Sequence, residues 1–107
     1  MITDQRMGEA LDFLSDTDEA AAELKTNAER AEFRAKAVKD AVFKFAEGTV
    51  AERTAIAGDS QEYKDAMADY FAKSQLADTL KNRRTTAELI IRTWQTVSAN
   101  RRQGTLS

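Results

Sequence analysis

Two kinds of side chain in this sequence carry chemistry by their type and spacing: grouped carboxylates, and arginines gathered around the single tryptophan. Glu62, Asp65 and Asp69 recur at intervals of three and four, which places them on one face of a helix, and Asp16, Asp18 and Glu19 stand together near the amino-terminal end. Carboxylate oxygens so grouped are the ligand type that magnesium prefers. The helix macrodipole alone, however, favours acids in a first turn, and it accounts for Glu62 and Asp65 without an ion. We therefore assign neither a metal nor a cofactor to these groups. Toward the other end, Arg83, Arg84, Arg92, Trp94, Asn100, Arg101 and Arg102 form the most suggestive segment. Guanidinium forks beside an aromatic ring suit phosphate contact and base stacking. The same residues also have an intramolecular reading, with Trp94 as a packing anchor and the arginines as partners of the acidic amino-terminal stretch.

The residue types that are missing narrow the choice. The 107 residues include no histidine, cysteine or proline. Imidazole bases, thiol nucleophiles, disulfides and the usual structural zinc sites are excluded. With no histidine to activate a serine or threonine, the expectation is a protein that is not an enzyme and has no catalytic residues. The polar run Thr3-Asp4-Gln5-Arg6 follows Met1-Ile2 at once, and no stretch approaches the ~20 apolar residues of a membrane span. The expectation is therefore no export signal, no membrane contact and, by default, the cytoplasm.

The elements that must position these residues are helices, because Ala, Glu, Lys, Arg and Leu lose least on entering one. Steps of three and four from Met7 give Met7, Ala10, Leu14, Thr17, Ala21, Leu24, Ala28, Ala31, Ala35, Val38, Val42 and Phe45, with Thr17 as the one polar residue. Such spacing is a coiled-coil seam. Ser15-Asp16-Thr17-Asp18-Glu19 could cap a new helix, but the register is the same on both sides and favours one continuous helix over about 3–47, with Thr3 as N-cap and Gly48 as its left-handed end. A connector over 48–59 holds a short helix at about 50–57, and Gly58 reads as the next breaker. Asp59-Ser60-Gln61-Glu62 reads as a capping box opening a second long helix over about 60–102, with 103–107 as a tail. Its seam runs Tyr63, Ala66, Tyr70, Lys73, Ala77, Leu80, Arg84, Ala87, Ile91, Trp94 and Ser98, with Lys73, Arg84 and Ser98 as polar defects.

Charge favours folding these arms back on each other. Residues 1–24 hold seven acids (Asp4, Glu9, Asp12, Asp16, Asp18, Glu19, Glu23) against Arg6, a net of −6. Residues 80–107 hold six bases (Lys81, Arg83, Arg84, Arg92, Arg101, Arg102) against Glu88, a net of +5. The expected fold class is all-α: a long antiparallel two-helix hairpin, 1–107 as a single domain. Leu11, Phe13, Phe33, Phe43, Met67, Phe71, Leu76, Leu89 and Ile90 lie off the seams and give each arm a second apolar face. A homodimer forming a four-helix assembly would cover it.

The order of these features resembles a loose group of short bacteriophage and prophage proteins encoded among DNA replication and recombination genes. The likeness rests on the Thr-Asp start with Ala10-Leu11-Asp12-Phe13-Leu14, Ala20-Ala21-Ala22, Glu32-Phe33-Arg34, Ala51-Glu52-Arg53, Tyr63, and the closing Arg92-Thr93-Trp94-Gln95-Thr96-Val97-Ser98-Ala99-Asn100. It implies a helical phage protein working in the infected cell, beside phage or host proteins of DNA metabolism, and it brings no catalytic residues. The expected function is a non-enzymatic accessory acting through protein contacts. The alternatives are a direct nucleic-acid binder using the basic carboxy-terminal helix, and an inhibitor presenting an acidic face to a host DNA-binding protein.

Overall fold

The computed structural model describes residues 2–106, with side chains to residue 104. The chain is all-helical: α1 spans Asp4–Phe45, α2 Val50–Asp59 and α3 Gln61–Leu106, with no strand among the described residues. Thr3 caps α1, its Oγ1 accepting from the Arg6 amide at 3.1 Å. The helix does not break at Ser15–Glu19. Thr17 there donates its hydroxyl back to the Phe13 carbonyl at 2.6 Å, the bond a mid-helix threonine makes when it is not a cap.

At the other end of α1, Gly48 has φ +119°, the one positive φ among the described residues. Thr49 then caps α2, accepting from the Glu52 amide at 3.1 Å while its hydroxyl donates to Glu52 Oε1 at 3.2 Å. Glycine is required at position 48, since a Cβ there would also lie 2.6 Å from Glu52 Oε2.

Three expected boundaries move. Gly58 lies inside α2 and Gly104 inside α3, so neither acts as a stop and 103–106 is helix, not tail. A glycine in a helix costs about 1 kcal/mol, which flanking turns can absorb; it ends a helix only where the backbone turns to positive φ. Asp59 closes α2 and is not the cap of α3. That role falls to Ser60, whose Oγ accepts from the Tyr63 amide at 3.3 Å and donates to the Ala57 carbonyl at 2.8 Å.

The chain packs as two compact units, a terminal unit of Met1–Ala21 with Asp78–Ser107 and a middle unit of Ala22–Ala77. In the terminal unit the two arms run antiparallel, with Trp94 meeting Asp4 and Arg84 meeting Leu14, Thr17 and Asp18. In the middle unit α1 meets α3 where Lys39 Nζ lies 5.2 Å from the Tyr63 ring centre. The seams are the sheltered faces. All of the first except Phe45, which is 81% exposed, are buried or half-buried, and so are all eleven of the second, including the polar Lys73, Arg84 and Ser98.

Among the described residues the buried core is made of alanine alone: Ala10 and Ala87 in the terminal unit, and Ala28, Ala31, Ala35 and Ala57 in the middle one. Small side chains let helix backbones approach closely, but each removes little apolar area from water. Of the off-seam apolar residues, Leu11, Phe33, Phe71, Leu76 and Leu89 are exposed, whereas Phe13, Phe43, Met67 and Ile90 are half-buried.

Candidate functional site

Two of the polar defects of the opposed seams, Thr17 and Arg84, meet each other. Arg84 has only 19% of its side chain exposed. Its Nη1 donates to Thr17 Oγ1 at 2.7 Å and to the Leu14 carbonyl at 2.8 Å, and its Nη2 reaches Asp18 Oδ1 at 3.1 Å. A half-buried guanidinium with these acceptors is a cross-link between arms, with three of its five donors engaged there. Two polar residues interrupting seams of opposite direction at the same level were the available signal. Neither seam read alone reveals it.

Trp94 is half-buried, and its Nε1 donates to Asp4 Oδ1 at 2.7 Å, which ties the ring to the first turn of α1. The other residues of the basic segment are exposed: Arg83, Arg92, Asn100, Arg101 and Arg102. At about 100° per residue, nine residues put Arg92 roughly half a turn away from both Arg83 and Arg101. The structure thus withdraws Arg84 and Trp94 into the arm contact and distributes the remaining arginines over different sides of α3. Only one of the three acceptors of Arg84 is an acid of the opposed arm, Asp18, itself 78% exposed; the other two are neutral, and Asp12, Asp16 and Glu19 are exposed as well.

The carboxylate groups have local partners. Asp65 accepts from Gln61 Nε2 at 2.7 Å and Asp69 pairs with Lys73 at 3.0 Å. Among the described residues no group of three or more acids is arranged to hold a metal ion.

Arg53 is a residue whose role the sequence did not announce. Its guanidinium lies 4.2 Å from the Phe43 ring centre, while Nε donates to the Phe43 carbonyl at 3.1 Å and Nη2 to the Lys44 carbonyl at 3.5 Å. These are carbonyls of the last turn of α1, which a helix leaves short of partners and which attract a cation. Arg53 therefore fastens α2 to the end of α1.

A groove opens in each unit. That of the terminal unit, about 340 Å³, has Ala10, Phe13, Ala87 and Ile90 in its lining together with Arg6, Glu9, Arg83 and Thr86. That of the middle unit, about 300 Å³, lies among Glu32, Ala35, Lys36, Lys39, Tyr63, Met67 and Tyr70. Lys36 there pairs with Glu32 at 3.4 Å. No helix among the described residues is long and apolar enough to cross a membrane. Comparison with protein-family models, with curated proteins and with solved structures found no match.

Proposed function

We propose that this chain is a non-enzymatic helical interaction protein that self-associates into a four-helix, coiled-coil-like dimer. The observation that carries the reading is the alanine core. Among the described residues no large side chain is fully buried, and eight large apolar residues are exposed, from Ile56 at 47% to Phe45 at 81%. Covering one such side chain is worth about 1.5–3 kcal/mol, so association supplies burial that the single chain lacks. Six of the eight, Phe33, Phe45, Val50, Ile56, Phe71 and Leu76, belong to the middle unit, which makes it the favoured face for a second copy.

The setting we propose, a phage or prophage accessory among DNA replication and recombination proteins in the host cytoplasm, rests on the sequence resemblance. The nucleic-acid reading is weakened by the engagement of Arg84 in the arm contact and by the half-turn that separates Arg92 from Arg83 and Arg101 on α3. Two measurements test the proposal. Thermal unfolding at rising protein concentration should shift to higher temperature, because subunit binding and folding are linked by mass action; a midpoint independent of concentration contradicts the dimer. Binding to single- and double-stranded DNA should be no tighter than about 10⁻⁴–10⁻⁶ M at physiological salt. Submicromolar binding, lost in Arg101→Ala/Arg102→Ala, would put nucleic acid first.

A further inference from the structure

The terminal groove has the form of a helix-binding site with a chosen sign of charge. Its floor is Ala10 and Ala87, only 6% and 5% exposed, whose lack of bulk opens a furrow between the antiparallel arms. Phe13 and Ile90 are half-buried, so each keeps an apolar surface for an incoming side chain. Arg6 and Arg83, both exposed, come from opposite arms and stand on the rim with Glu9, which already accepts from Gln5 Nε2 at 3.2 Å. Two cations face one engaged carboxylate. This basic furrow sits on a chain whose net charge is −2.

We infer that this groove docks an acidic amphipathic helix of a partner protein: apolar side chains enter along Phe13 and Ile90, and flanking carboxylates pair with Arg6 and Arg83. Laying an apolar helical stripe in a groove between helices is a recurrent mode of recognition, and complementary rim charge chooses the partner. A second copy applied face to face is disfavoured, because it would set four guanidinium groups against two Glu9 carboxylates. A phosphate backbone is disfavoured as well, since Phe13 and Ile90 offer it nothing. The inference deepens the interaction-protein reading and rests on it, while assigning the groove a different task from the exposed face of the middle unit.

The test uses the full chain and a fluorescent peptide designed as a helix with leucines on one stripe and glutamates beside it. Two control peptides replace every glutamate by lysine, or scramble the order so that the stripe is lost. Anisotropy should show the acidic helix binding at least about tenfold tighter than either control. In Arg6→Glu/Arg83→Glu, exposed positions where helicity is retained, the preference between glutamate and lysine peptides should reverse. Absence of binding, equal binding of the scrambled peptide, or an unchanged preference in the double variant would each overturn the proposal. So would DNA binding that depends on Arg6 and Arg83, or a dimer mass that this variant reduces to monomer, which would give the groove to nucleic acid or to a second copy. Mass measured on the same samples separates the two readings: a dimer that ignores the acidic peptide removes the groove proposal alone, and a monomer that ignores it removes both.

Discussion

The terminal and middle units solve the same packing problem by different means. In the terminal unit four hydrogen bonds from Arg84 and Trp94 of α3 reach α1, and two alanines are buried. In the middle unit four alanines are buried, Arg53 ties α2 to α1, and six large apolar side chains face outward. Polar cross-links have strict geometry and fix which residue lies opposite which, but contribute little net energy each. Alanine packing permits close approach with less directional constraint. The comparison teaches that register is set where the arms are polar, while most of the exposed apolar surface that the proposed dimer would cover lies in the other unit.

The largest expected effect falls on the middle unit. Ala35 is 1% exposed, so Ala35→Asp forces a larger, charged side chain into the contact between the arms. It should cost on the order of 3 kcal/mol or more in urea unfolding, while Ala37→Asp at an exposed neighbouring position stays within about 0.5 kcal/mol. Similar costs at the two positions would remove the alanine core from the account.

Next comes the polar lock. Arg84→Ala should destabilise by about 2 kcal/mol, through hydrogen bonds to a charged group and lost packing of the stem. Asp18→Ala should cost under about 1 kcal/mol, because Asp18 is 78% exposed and its ion pair is screened. A double-mutant cycle between Thr17→Val and Arg84→Ala should show coupling; additive effects would mean that the two seam defects do not act together.

Smaller effects sharpen the contrast among the glycines. Gly48→Ala should cost about 1–2 kcal/mol, since φ +119° is hostile to a Cβ and Glu52 occupies the space. Gly58→Ala should stabilise by about 0.4–1 kcal/mol, because a Cβ at that helical position meets nothing within 4 Å. Thermal melts of the two variants should therefore move in opposite directions.

How much of this was legible depended on whether a feature is local or lies between arms. The seams, the Thr3 cap, the positive φ of Gly48 and the continuity of α1 through Thr17 follow from periodicity and capping chemistry within one segment, although α1 stops at Phe45, short of the expected 47. The misplacement of Gly58 and Gly104 came from treating glycine as a breaker by type, when its effect depends on backbone conformation. Ser60 replaced Asp59 as cap because α2 runs to Asp59, a boundary that side-chain type alone does not decide. Arg84 was legible as a defect and as a cation; that its donors close on Thr17, Leu14 and Asp18 required knowing the register between arms. The basic segment looked continuous in sequence, yet helical rotation separates Arg92 from Arg83 and Arg101. The terminal groove was hidden for the same reason, since Arg6 and Arg83 are far apart in the chain.

The central claim is that an alanine core leaves large apolar residues for a second copy to cover, and solution mass tests it most directly. Light scattering across the micromolar range should give twice the 11.9 kDa chain mass, falling toward the monomer in Phe33→Ser/Phe71→Ser with helicity retained. A mass of 11.9 kDa at every concentration, from a chain that is folded and stable, would contradict it.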